Sequence, residues 1–100
     1  MHPKKKVTVV IDAAASESVV RIVRDAGAKG HTLIPHVQGA GHRGIRRGHD
    51  IFEPAQNVLI VVICDPPVAE RIVRDVMGLL ERHAGIAYTE DVEVARADLF

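Results

Sequence analysis

Lys4 to Ile11 runs into consecutive β-branched residues, Val7, Thr8, Val9, Val10 and Ile11, which predict a strand closed by Asp12. From Ser16 the apolar period changes. Val19, Val20, Ile22, Val23 and Ala26 share one helical stripe and Arg21, Arg24 and Asp25 face water, with Ser16 or Ser18 available as N-cap and Gly27 as the stop. His31 to Gln38 is short and β-rich but carries Pro35, which suits an edge strand or one that kinks on leaving the sheet. Asn57 to Cys64 is apolar at both parities, so it reads as a central strand covered on both faces. Asp65, Pro66 and Pro67 have the character of a helix start. The stripe that follows, Val68, Ile72, Val73, Val76, Leu79 and Leu80, ends near Gly85, and Ile86 to Val94 reads as a last strand.

The predicted order is strand, helix, strand, strand, helix, strand. An internal repeat supports it: Arg-Ile-Val-Arg-Asp occurs at Arg21 to Asp25 and again at Arg71 to Asp75, in the same part of each helix. Two such halves make an α+β ferredoxin-like βαββαβ sandwich, with two helices on one face of an antiparallel four-stranded sheet. The other face would be left open. With Val58 to Cys64, Val7, Val9 and Val10 contributing to it, that face would expose an apolar patch of a size that marks an interface, so a homo-oligomer packed sheet on sheet is expected.

Composition fits this reading. The 100 residues are 47% hydrophobic with 13 Lys+Arg against 13 Asp+Glu, as in an ordinary small soluble domain, and one domain over residues 1–100 is expected. The zero net charge divides unevenly, with nine basic and four acidic residues before position 51 and four and nine after it. That asymmetry suits association between neighbours, or an anion site in the first half, rather than wholesale nucleic-acid binding. The single cysteine, Cys64, excludes an internal disulfide framework and fits a reducing compartment, the cytoplasm by default. No apolar run reaches the ~20 residues of a membrane helix, and His2 to Lys6 is not followed by a signal-peptide segment.

The distinctive chemistry lies between the second and third strands, in a long loop at 39–54, where a hairpin would need roughly two to five residues. Gly39 to His49 holds four glycines, three arginines and two histidines. Glycines allow backbone amides to close on an anion, and guanidinium forks hold phosphate or carboxylate in pairs of bonds. Phosphate is the natural guest. Neither a P-loop nor a dinucleotide-binding fingerprint is present, since Gly39-x-Gly41-x-x-Gly44 leads into a loop and not a helix.

The duplicated order, Gly39-x-Gly41 at the end of the second strand and the long loop behind it resemble the PII signal-transduction superfamily. The segments Ala26 to Thr32, Gly41-His42-Arg43-Gly44-Ile45-Arg46 and Ala84-Gly85-Ile86-Ala87-Tyr88 are closer to its PII-like branch, associated with carboxysomes and bicarbonate transporters. The resemblance implies a homotrimer that binds adenine nucleotides in clefts between subunits, with a loop, the T-loop of that family, that rearranges to engage a target. It further implies that Gly39, Gly41, Arg43 and Arg46 cradle the phosphates, with Arg47 as an additional phosphate ligand, and that Thr32, Gly85 and Ile86 lie near the ribose and base. Classical members have glutamine where Arg43 stands, and a Gly/Lys-rich segment where this chain has Glu81 to Gly85. ADP or AMP is therefore favoured over magnesium-ATP with 2-oxoglutarate. ATP and cyclic AMP stay open as ligands, as do bicarbonate and a bicarbonate transporter or carboxysome-related protein as partner.

Other chemistries fit less well. His31 and His36 are an odd number of residues apart and would point to opposite faces of a regular strand, which argues against one metal ion between them. His83 is expected to cap the end of the second helix. An RNA-recognition domain of this order would stack bases on strand aromatics, and the predicted first and third strands have none. Cys64 falls in a core strand with no base nearby in the pattern, so an enzyme is not expected and no catalytic residue is assigned. The competing reading is a metal-binding or structural trimer of the same fold without nucleotide sensing.

Overall fold

The structure, a computed structural model, describes residues 1–39 and 56–100. Strand β1 (His2–Asp12) passes through a 3₁₀ turn (Ala13–Ala15) into helix α1 (Ser16–Asp25); β2 (Thr32–Val37), β3 (Asn57–Cys64), α2 (Pro66–Leu80) and β4 (Gly85–Val94) follow. The strands form one antiparallel sheet in the order β2-β3-β1-β4, the ferredoxin-like arrangement expected from the repeat. Interior strands are β1 and β3, and β2 is an edge, as Pro35 requires.

Register decides which residues meet the helices. Val7 lies opposite Val62, Val9 opposite Ile60 and Ile11 opposite Val58, and all six are buried. Val19 and Val23 of α1 and Ala69, Ile72, Val76 and Leu79 of α2 complete the same core. Val7 and Val9 therefore belong to the helix-covered face, a correction to the expectation that they line the open one; Val10 alone of the three does. Alternation in β1 is strict, so one register places neighbouring valines on opposite sides.

The open face carries the other parity. Val10, Leu59, Val61 and Ile63 are half-buried in the single chain, while Ile34, Tyr88 and Ile86 remain 48%, 46% and 57% exposed. At the centre, Thr8 lies between Val61 and Tyr88 across the strands and is 2% exposed. Its Oγ1 has no hydrogen-bond partner among the described residues.

Gly27 ends α1 as expected, and the other helix ends differ in their capping bonds. Gly27, at φ 97°, closes α1 with a Schellman pair: its amide donates to the Arg24 carbonyl at 3.0 Å, and that of Ala28 to Val23 at 3.3 Å. Neither Ser16 nor Ser18 caps the start, because the intervening 3₁₀ turn moves the cap back to Asp12, whose carboxylate accepts from the Ala14 amide at 3.0 Å. Asp65 stands at the N-cap of α2 without a side-chain cap bond. Its carboxylate takes the Lys4 ammonium instead, at 2.6 Å. At the far end α2 stops at Leu80, short of Gly85, and it is the backbone amide of His83 that donates to the Leu79 carbonyl, at 2.9 Å.

The repeated pentapeptide occupies both helices, but not in the same phase. Val23 is the buried position in α1 and Ile72 the buried position in α2, with Ile22 and Val73 only partly covered. Arg71 pairs with Asp75 at 3.8 Å along α2.

The uneven charge of the two halves is partly settled inside the chain. Lys4 pairs with Asp65, Lys5 with Asp91 at 2.5 Å and Lys6 with Glu90 at 3.7 Å, the last two directly across the β1–β4 register. Lys4 is the best shielded, its side chain 11% exposed against 59% for Asp65. A double-mutant cycle with Lys4→Met and Asp65→Asn, followed by urea unfolding, is expected to give a coupling of about 0.5–1 kcal/mol that shrinks in ~1 M salt. A coupling indistinguishable from zero at low salt would make the pair a surface coincidence.

Candidate ligand site at the loop end of the sheet

The end of the sheet where the long connection leaves and returns is pinned by short hydrogen bonds. The Asp12 amide donates to the Ala84 carbonyl at 3.1 Å, tying β1 to the turn before β4. The Ala13 amide donates to the Gln56 carbonyl at 2.8 Å, tying the same turn to the chain returning into β3. On the outgoing side the β2–β3 register slips between Ile34 and Val37, and His36 adopts φ 60° within that slip. A non-glycine residue in this left-handed region costs about 1–2 kcal/mol. The His36 Nδ1 and Gln56 Oε1 are 3.2 Å apart, a hydrogen bond that joins the two sides of the neck. Local irregularity at β2 is thus what aims the chain out of the sheet.

Gly39 and Gly85 open onto this one end. A Cβ on Gly39 would meet the Asn57 side-chain nitrogen at 3.5 Å, and Asn57 is registered with Asp12, next to Ile11 and its partner Gly85. Ile86 follows on the open face, opposite Val10, with 57% of its surface exposed. Thr32 shares that face but stands opposite Val61, while Val37 stands opposite Asn57. That separation along the sheet is roughly 13 Å, at ~3.3 Å per residue. Gly39, Gly85 and Ile86 therefore gather near the loop end, and Thr32 does not. Gly41, Arg43, Arg46 and Arg47 lie outside the described residues.

Sequence reasoning missed the supporting layer of Asp12, His36, Gln56 and Asn57. A signal existed only for Asp12, a capping residue before three alanines; the Gln56 contact joins distant stretches of chain, which no local pattern announces. The odd spacing of His31 and His36 was a poor guide, because the slip at His36 breaks the alternation on which it depends. Among the described residues no group of three or more His, Cys, Asp or Glu is placed to hold a metal ion. Cys64 is buried with a free thiol whose pKa is pushed up, first by desolvation and then by the neighbouring Asp65 carboxylate, with Lys4 opposing. No helix among the described residues is long and apolar enough to cross a membrane.

A family model described as "Nitrogen regulatory protein P-II" matches residues 4–99. A PII-like signalling protein from Thermus thermophilus is 34% identical, with 97% of this chain and 94% of that chain covered and a TM-score of 0.78. CPII from Thiomonas intermedia, in its structure bound to ADP, AMP and acetate, aligns at a TM-score of 0.84 and 21% identity over 99% of this chain and 95% of that chain. The same protein bound to ADP and bicarbonate aligns at 0.84 and 23% identity, with the same coverage. Among curated proteins nothing matches. The architecture and these likenesses define a signalling protein of the PII type. This chain belongs to the nitrogen regulatory P-II family.

Proposed function

We propose that this chain is a PII-like regulatory protein, one domain over residues 1–100, that binds ADP or AMP at clefts between the subunits of a homotrimer and signals without catalysing a reaction. Its T-loop, the Gly/Arg loop at 39–54, supplies Gly39, Gly41, Arg43, Arg46 and Arg47 to the phosphates, with Gly85 and Ile86 toward the ribose and base and Thr32, set further along the same sheet face, at the far side of that cleft. Bicarbonate accompanies the nucleotide, and rearrangement of the loop carries the signal to a bicarbonate transporter or carbon-fixation partner in the cytoplasm.

The observation that carries the reading is the P-II match over residues 4–99, joined to the gathering of Gly39 and Gly85 at the end from which the Gly/Arg loop springs. CPII, similar in fold, supplies the choice of ligand, since its structures hold ADP with AMP or bicarbonate. The half-covered apolar sheet face supplies the reason to assemble.

Calorimetric titration with AMP, ADP, ATP and cyclic AMP, each with and without bicarbonate, tests it. ADP or AMP is expected to saturate near one per subunit. Arg43→Ala or Arg46→Ala is expected to weaken binding about tenfold or more, because a charge-assisted phosphate contact contributes roughly 1.5–3 kcal/mol. Equal affinity in both variants would remove the arginines from the site, and silence toward every nucleotide would remove the function.

A further inference from the structure

The α1 copy of the repeated pentapeptide does something its twin does not. In α2, Arg71 turns along its own helix to Asp75. In α1, neither Arg21 nor Arg24 makes an ion pair among the described residues, and both line a groove of about 300 Å³ between the helix and edge strand β2. Ser16, Glu17, Val20 and Leu33 complete its lining. Glu17, Val20, Arg21 and Arg24 are spaced i, i+3, i+4 and i+7, so they form one flank of the helix running beside the sheet edge. Leu33 is 38% exposed there, and Val20 is half-buried. The groove therefore joins an apolar floor to two guanidiniums whose hydrogen-bonding forks have no partner among the described residues.

We infer that this groove is a docking site for an acidic segment of a partner protein, one that seats an apolar side chain against Val20 and Leu33 and presents carboxylates to Arg21 and Arg24. Charge complementarity selects that occupant: guanidinium forks match carboxylates bidentately, and Arg is among the residue types that anchor protein interfaces. The single carboxylate of Glu17 leaves the groove with a net positive rim. It lies on the helix side of the sheet, away from the apolar face available for assembly, so a trimer built on that face would leave it outward. The inference does not depend on nucleotide binding.

The test is a selection from displayed random hexapeptides on the intact protein, in parallel with the Arg21→Glu/Arg24→Glu variant. An Arg74→Glu/Arg82→Glu variant, altered at two exposed positions elsewhere, serves as control. The wild type and the control are expected to enrich peptides with two or more carboxylates beside an apolar residue, and these should bind the groove variant at least tenfold more weakly while its circular dichroism and nucleotide affinity stay unchanged. Amide shifts on titrating an enriched peptide should centre on 16–24 and Leu33. Absence of acidic enrichment, or equal binding by the groove variant, overturns the proposal. A fall in assembly mass for the groove variant alone also overturns it, by giving the groove to a second copy of this chain.

Discussion

Replacing Gly85 by alanine is expected to destabilise the chain by about 3 kcal/mol or more, measured as a lower urea midpoint with an unchanged slope. A Cβ built there would collide with the Val10 carbonyl oxygen and stand 2.9 Å from the Ile11 Cα and 3.0 Å from its Cγ1. Two of those three atoms are backbone of an interior strand, and Ile11 is fully buried, so no flexible tip can move aside. Overpacking against side chains costs about 1–3 kcal/mol, and a contact with backbone belongs at or above the top of that range. The proposed function would use Gly85 at the ligand; chain crowding is a reason for glycine that needs no ligand. A loss below ~1 kcal/mol would mean that β4 can swing away from β1 at its first residue.

Val61→Asp is expected to reduce the proposed trimer to a monomer, read as a threefold fall in mass by light scattering. Val61 lies on the open face, opposite Thr8 and Thr32, and is half-buried in the single chain. Each monomer can leave a carboxylate there partly hydrated, but packing three sheets together would strip its water with no cation registered opposite it. An unpaired buried charge costs several kcal/mol per subunit, enough to dominate a small interface. Met77→Asp, an exposed position on α2, is the control and should leave the mass alone. A trimer that survives Val61→Asp would place the subunit interface elsewhere.

The fold was legible because its signals are local and repeated. Parity identified β3, the apolar stripe and Gly27 identified α1, and the duplicated pentapeptide supplied the topology. What escaped depended on register. Whether Val7 and Val9 or Thr8 and Val10 faced the helices is decided by one residue of offset, and β1 is apolar enough to tolerate either. The caps escaped for a related reason: Asp65 had an ordinary N-cap sequence, but the fold brought Lys4 within 2.6 Å and took its carboxylate. In the candidate site, the glycines and arginines were visible as composition, whereas the ties from Gln56 and Ala84 to the end of β1 exist only once distant strands are neighbours.

The phase difference between the two helices bears on what the duplication now is. Adjacent positions are about 100° apart around a helix. Burial of Val23 in one copy and Ile72 in the other therefore means that the same five letters are read from two angles. An alignment of the halves scores them identical, yet the two apolar letters exchange the deeper position, while the two arginines and the aspartate stay exposed in both copies. The difference in burial therefore comes from what each helix packs against and not from the five letters, which are the same in both copies.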